Sequence, residues 1–435
     1  MRLVSDARAI LRAGIAAADP ARAVQSVVRR HRRGISVGGR PLLPGVGGTI
    51  RLVGLGKAAA AMADAAVSVI GPGTTGVVAV PHGYPAPRSG VRLVRGDHPT
   101  PSRASLAAGR ALLHEVRTAE PSDRILFLIS GGGSAVAELP LEPLSIDHLA
   151  RTTDALLSSG APIQAMNAVR RHVSGIKGGR LAEAAPAGGF ATVAISDVVG
   201  DPPEDVASGP TVPDPTTFRD ALRVLERFHL RPRLPPPVVR YLAEGVRGKH
   251  PETPKPGDPA FGGAVFRFGA TNRTALRAAA REAARRGYSP RVVSRPVVGE
   301  TQPAALRFTR ELLQGHPRRS FALLAGGETT VTLGPHPGRG GRNQEFALAA
   351  AVPLAGRAGV LVLSAGTDGV DGPTEAAGGW ADGTTLRRLT ADGVDVGQAL
   401  QGHAAYSALD RAGRLLRTGP TGTNVMDLHV GLRRA

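Results

Sequence analysis

Short runs of β-branched and other apolar residues recur along this chain. Most end in a glycine-rich turn that opens a stretch rich in alanine, leucine and arginine. The runs fall at 50–54, 76–80, 124–129, 191–195, 265–269, 321–325 and 360–363, and helical patterns occupy 58–69, 102–117, 274–286 and 344–351. Runs this short and this apolar suit strands buried on both faces. Their alternation with helices predicts an α/β architecture with largely parallel sheets. Ligands of such sheets bind in the loops beyond the carboxyl ends of the strands. The chemistry is therefore expected in the turns.

At 435 residues the chain exceeds what one hydrophobic core usually organises. Eight prolines crowd into 232–259, Pro235-Pro236-Pro237 among them. Such density stiffens the backbone and interrupts packing, as in a linker. The expected division is a first domain over 1–235, a Pro-rich linker over 236–261 and a second domain over 262–435.

Several function classes drop out on composition. There is no cysteine, which removes disulfides, thiol nucleophiles, iron–sulfur clusters and thiolate zinc sites. The formal charge is +19, and only four of the 54 basic residues are lysines (Lys57, Lys177, Lys249, Lys255). The run Arg29-Arg30-His31-Arg32-Arg33 raises the possibility of nucleic-acid binding. Aromatic residues are only 3%, however, so stacking platforms are missing, and the run is read as cations at a helix C-terminus. No nucleic-acid partner is expected. The first residues are interrupted by Asp6, Arg8 and Arg12, leaving no signal-peptide core, and no apolar stretch approaches the roughly 18 residues of a membrane span. A cytoplasmic protein without membrane association is expected, as monomer or homodimer.

Within the turns, Gly54-Leu55-Gly56-Lys57-Ala58-Ala59 fits the loose dinucleotide fingerprint. The next strand ends Val80-Pro81-His82, without the carboxylate a nicotinamide cofactor would want, and Ala58 stands where a Walker A loop needs Ser or Thr. What remains is a lysine at a helix N-terminus, suited to an anion. Ser130-Gly131-Gly132-Gly133-Ser134 lets backbone N–H groups approach a ligand closely. The segment from Asn167 through Arg170, Arg171, His172 and Lys177 to Arg180 gathers cations around glycines, with His172 read as structural. Asp197 and Asp201 follow a strand and suit Mg²⁺ beside a phosphate chain. The second half adds Gly326-Gly327-Glu328, Gly340-Gly341-Arg342-Asn343-Gln344-Glu345, Gly366-Thr367-Asp368-Gly369-Val370-Asp371 and Gly419-Pro420-Thr421-Gly422-Thr423-Asn424. His-Glu-x-x-His does not occur. Cationic glycine loops with strand-end carboxylates describe a site for a polyphosphate and a small acid, and so phosphoryl transfer.

In that order and over nearly the whole chain, these segments resemble the glycerate 2-kinase family, the two-domain enzymes with a C-terminal MOFRL-type domain. The resemblance implies a Rossmann-like N-terminal α/β domain with a mainly parallel sheet, a MOFRL-type α/β domain and an active site in the cleft between them. It implies Mg²⁺-dependent transfer of the ATP γ-phosphate to the 2-hydroxyl of D-glycerate, giving 2-phospho-D-glycerate. Lys57 and Arg342 match the family's lysine and arginine, and Asp197 is assigned by position to the hydroxyl or the metal, with Asp201 as second metal ligand. Gly56, Ser130, Gly131, Gly132, Gly133, Ser134, Asn167, Lys177, Glu328, Asn343, Glu345, Asp368 and Asn424 are the expected binding residues. A hydroxypyruvate reductase using NAD(P) is the alternative. One departure is visible: Ser102 stands where the family usually has aspartate, after His98-Pro99-Thr100-Pro101.

Overall fold

The computed structural model describes residues 2–186, 189–315 and 319–435. It divides into two compact units, Pro20–Gly269 and a discontinuous one made of Met1–Asp19 with Ala270–Ala435.

In the unit Pro20–Gly269, a six-stranded sheet runs in the order Arg92–Gly96, Gly76–Pro81, Ile50–Leu55, Arg124–Ile129, Phe190–Ile195, Val265–Ala270. The first five strands pair in parallel, with Leu52 opposite Gly76, Ile50 opposite Arg124 and Ile125 opposite Phe190. Every residue of Gly76–Pro81 and of Phe190–Ile195 is buried. This is the signature of a sheet covered on both faces, and it explains the unalternating apolar runs. The chain builds outward from Ile50–Leu55 to one edge and then from Arg124–Ile129 to the other. Those two neighbours thus flank a topological switch point, where such sheets open a crevice at their carboxyl ends.

The Pro-rich segment is not a linker. Pro236–Val246 is a helix whose prolines occupy the first turn, where a missing N–H costs nothing. Its Val238, Tyr241 and Leu242 are buried in one cluster with Phe218, Leu225 and Val169. Downstream, Thr253 Oγ1 donates to Asp214 and the Asp214 amide donates to Pro254, so this stretch is tied into the unit up to its sixth strand. The basic run is also placed differently from expectation. It follows the helix Pro20–Val27 but forms the exposed strand Val28–His31 and its turn, antiparallel to Gly34–Val37.

The discontinuous unit carries a mixed sheet in the order Ser289–Val292, Phe321–Thr330, Asp427–Arg433, Val360–Gly366, Gly378–Asp382, Leu415–Leu416, with Val297–Glu300 also paired to Phe321–Thr330. The last long strand is inserted centrally and runs antiparallel to both neighbours. The helix Arg2–Ala17 belongs here, which corrects the first expected boundary. Its buried stripe is Asp6, Ala7, Ile10, Leu11 and Gly14. A Cβ at Gly14 would lie 2.8 Å from the Leu428 side chain of the sheet and 3.2 Å from the Ala275 carbonyl, so this helix and the helix Asn272–Arg285 meet at backbone range. Asp6 accepts from Arg286 Nη1 and from the Tyr288 hydroxyl, each at 2.8 Å. Among the described residues, no helix is long and apolar enough to cross a membrane.

Candidate active site

At the switch point the two glycine loops are zipped together through their backbones. The Lys57 amide donates to the Gly131 carbonyl at 2.9 Å, and the Ala58 amide donates to Ser130 Oγ at 3.0 Å. Gly56 has φ +112°, and a Cβ there would sit 2.3 Å from the Ser130 carbonyl. No other residue permits that approach. The helix Ala59–Ile70 follows without a side-chain cap, and its first amide, that of Ala59, donates to the Gly56 carbonyl at 3.1 Å. The Lys57 side chain runs along Gly132, where a Cβ would be 3.1 Å from its Cγ. Asp197, just past Phe190–Ile195, lays its carboxylate on Gly131 so closely that a Cβ would be 1.8 Å from Oδ2. Lys57, the 130–134 loop and Asp197 therefore converge as the sequence anticipates.

Other expected residues of this unit are props. The Ser134 and Ser208 hydroxyls lie 2.7 Å apart, Ser208 donates to Asn167 Oδ1 at 2.8 Å, and Asn167 Nδ2 donates to Asp205 Oδ1 at 3.0 Å. Asn167 is buried and supports the loop from behind. Lys177 is buried too and is ion-paired with Glu138, which also accepts from Ser174 Oγ at 2.5 Å. Burial pushes the Lys177 ammonium down, and Glu138 opposes the shift. Asp201 sits on the turn after Asp197, its amide donating to Val198. His172 is fully buried, with Nδ1 2.7 Å from the Ala168 carbonyl and Nε2 3.1 Å from Glu252, a structural role as expected. Ser102 caps the helix Arg103–Arg117 by accepting from the Ala104 amide, work that aspartate does equally well.

Two further basic side chains join this site, a neutral imidazole and a guanidinium. Protein crowding on most sides lowers the imidazole of His98 to about 4, even though part of its ring stays open to solvent; the charges of Lys57 and Arg170 add to the effect. Burial also lowers Arg170, opposed by Glu138. Among the described residues, neither Lys57 nor Arg170 has an ion-pair partner. Both newcomers lie in segments already quoted, and only their convergence was invisible.

The discontinuous unit holds a second site around Arg342, the first residue of the helix Arg342–Leu354. Its Nε donates to Asp427 Oδ2 at 2.7 Å, Nη2 to Asp427 Oδ1 at 3.1 Å and Nη1 to Glu328 Oε1 at 2.7 Å. Against a burial that opposes it, Asp427 and then Glu328 raise the guanidinium's pKa. Asp371 reaches the same helix start from its loop, accepting from the amides of Asn343 at 3.1 Å and Gln344 at 2.8 Å. Burial pushes its carboxyl up to about 7; those two amides pull it back, and Asp427 adds to the rise. Gly341 makes room, since a Cβ there would lie 2.4 Å from the Asp371 carboxyl carbon.

Asn343 is buried and donates to Asp427 Oδ1 at 2.9 Å. Glu345 is buried as well, bracing His403 Nδ1 at 3.0 Å and Gln302 Nε2 at 2.9 Å. Asp368 and Asn424 accept from the amides of Val370 and Met426, shaping their own turns. A cavity of about 630 Å³ opens beside Arg342, lined by Glu328, Thr330, Leu333, Asp368 and Val370 among others. Asp427 and Asp371 were not anticipated. Asp371 stood in a quoted aspartate–glycine loop, and Asp427 opens the last long strand without a local signal of its own. No group of three or more His, Asp or Glu side chains suited to a metal occurs among the described residues.

Residues 6–243 match the family described as Domain of unknown function (DUF4147), and residues 321–427 match the MOFRL family. The glycerate 2-kinase of Pyrococcus horikoshii is 39% identical over 438 residues, covering 99% of this chain and 96% of that protein. The D-glycerate 2-kinase of Thermotoga maritima is 40% identical over 390 residues, covering 88% and 90%. The crystal structure of a glycerate kinase (EC 2.7.1.31) from Thermotoga maritima superposes with a TM-score of 0.84 at 36% identity, over 99% of each chain.

Proposed function

The chain belongs to the glycerate 2-kinase family with a C-terminal MOFRL domain, and we propose how its own residues serve that family's reaction. The reaction is transfer of the γ-phosphate of ATP to the 2-hydroxyl of D-glycerate, yielding 2-phospho-D-glycerate. The observation that carries the assignment is the half-buried Lys57, without an ion-pair partner among the described residues, on the zipped glycine loops, with Asp197 against Gly131.

A positive group without a carboxylate partner attracts an anionic substrate with its full charge. Backbone N–H groups and a helix start beside it cost no reorganisation when charge develops. Lys57 and the 130–134 loop, beside the start of Ala59–Ile70, hold an anionic group of substrate or nucleotide, with Arg170 extending the positive field. Asp197 acts on the 2-hydroxyl or on the metal. Arg342, one-third exposed, directs its guanidinium at the transferring phosphate. Glu328, Asp368 and Asn424 shape its surroundings.

Mg²⁺ fits this donor set. It commonly binds through one or two carboxylates, phosphate oxygens and waters rather than a protein cage. Asp197, with Asp201 on the following turn, would hold it, and it would neutralise charge on the phosphoryl oxygens. Against the reductase alternative, the strand after the Gly56 loop ends in Pro81-His82, leaving a ribose without its usual carboxylate.

The test incubates the purified protein with D-glycerate and Mg-ATP. ADP should form together with a product that enolase accepts directly, without a mutase. NAD(P)H oxidation by hydroxypyruvate with no ADP release would overturn the kinase reading.

A further inference from the structure

Behind Arg342 runs a line of buried polar groups that the reaction as described does not use. Ser364 on Val360–Gly366 and His429 on Asp427–Arg433 are directly opposite cross-strand partners. Ser364 Oγ lies 2.9 Å from His429 Nδ1 and donates to Asn343 Oδ1 at 2.6 Å. Asn343 Nδ2 then donates to Asp427 Oδ1 at 2.9 Å and more weakly to Asp371 Oδ1 at 3.3 Å. Asp427 takes two donors from Arg342. Ser364, His429, Asn343 and Asp427 are each at most 1% exposed, so water cannot substitute for any link.

The direction of every bond follows from the donor inventory. Asn343 Oδ1 can only accept, so the single Ser364 proton points to it. The Ser364 oxygen must then receive a proton from His429, which makes His429 the Nδ1–H tautomer. Its Nε2 has no hydrogen-bond partner among the described residues. The ring is stacked on Phe346 at 4.1 Å and an 11° angle, an apolar setting that suits a neutral imidazole. Burial, with the charge of Arg342, lowers His429 to about 3, so it stays neutral across any working pH. The Asn343 carboxamide is thereby locked. Flipped, it would turn oxygen against Asp427 and lose both its acceptors.

We propose that Ser364 and His429 are positioning residues for Arg342, fixing Asn343 so that Asp427 holds the guanidinium in one orientation toward the transferring phosphate. This rests on the reading of Arg342 as the phosphate-directing cation. Orientation matters in the transition state more than in binding, so the effect falls on kcat.

Ser364→Ala should lower kcat by roughly tenfold or more, as loss of a supporting hydrogen bond does at other preorganised sites, with KM for glycerate and ATP shifted less than about threefold. At the far end of the line, His429→Asn keeps an N–H near the Nδ1 position and should retain most activity, while His429→Leu should match Ser364→Ala. This pair repeats the test should Ser364→Ala not fold. Added to Arg342→Lys, Ser364→Ala should cause no further loss, because both act through one guanidinium. A wild-type kcat in Ser364→Ala, equal losses in the two His429 variants, or an undiminished loss in the Arg342→Lys background would each overturn the relay while leaving the role of Arg342 intact. A wild-type rate in Arg342→Lys would instead overturn the reading of Arg342, and the relay with it.

Discussion

Lys57 and Arg342 both stand where a glycine-rich turn opens a helix, yet their surroundings are built on opposite rules. Around Lys57 a positive field stays open: Arg170 also lacks an ion-pair partner among the described residues, while Lys177 is neutralised by Glu138. Around Arg342 the carboxylates outnumber the cation, with Asp427 and Glu328 bonded to it and Asp371 at the same helix start. The first arrangement keeps its charge available and tolerates imprecise placement. The second gives up net charge for a fixed orientation, since a guanidinium gripped on two edges by Asp427 and Glu328 has one pose. Under the proposed roles, attraction and aim fall to different units of the fold.

Arg342→Ala tests the contrast most severely, because it should damage both rate and stability. Turnover should fall roughly 100- to 1,000-fold, the loss typical of a group that stabilises transition-state charge. The unpaired Asp427 carboxylate, wholly buried, should cost roughly 2–3 kcal/mol in denaturant unfolding, less than a fully buried pair because Arg342 is one-third exposed. Lys57→Ala should lose a similar factor in rate, with unfolding changed by less than about 0.5 kcal/mol, because it strands no partner. A large drop in stability there would break the comparison. Glu138→Gln isolates the paired cation of the positive site. Leaving Lys177 buried without its carboxylate should cost about 3 kcal/mol in the same unfolding experiment.

A further effect is read from pH. Asp371 has a carboxyl near 7 in the folded chain against an ordinary value of 3.8. Between those limits the folded protein binds a proton that the unfolded chain does not. Its contribution to stability is thus full below about pH 4 and is lost as pH rises toward 7, with a slope of at most about 1.4 kcal/mol per unit. Comparing wild type with Asp371→Asn at pH 5 and pH 7 should reveal this slope in the former and its absence in the latter. Parallel behaviour would sink the assignment.

How much of this was legible in the sequence depends on the range of the interaction. Strand ends and glycine loops were, because period and turn chemistry act over a few residues. The run at 124–129 became the strand Arg124–Ile129, and the helix expected at 58–69 became Ala59–Ile70. The Lys57–Ser130–Asp197 convergence was also within reach, since α/β sheets gather their strand-end loops at one edge. The division of the chain was misread at 236–261, because proline density marks helix starts as readily as linkers, and only Phe218, far upstream, shows what Tyr241 and Leu242 pack against. Asp427, which accepts twice from Arg342, was missed for a related reason. Asp427 lies 85 residues away, and its meeting with Arg342 is decided by the central placement of a strand that no local pattern announces.

That central strand, with the helix Arg2–Ala17, also governs the order in which the molecule can be assembled. Synthesis delivers the helix first, but Asn272–Arg285 and Leu428, against which it packs, come only after the whole of Pro20–Gly269. The continuous unit can close while the chain is still emerging. The unit of Arg342 cannot complete its sheet until Asp427–Arg433 slots between Phe321–Thr330 and Val360–Gly366. The helix made first is therefore among the last pieces to find its place. Until then it carries an uncovered apolar stripe, and the unit that holds Arg342 is the one the ribosome finishes last.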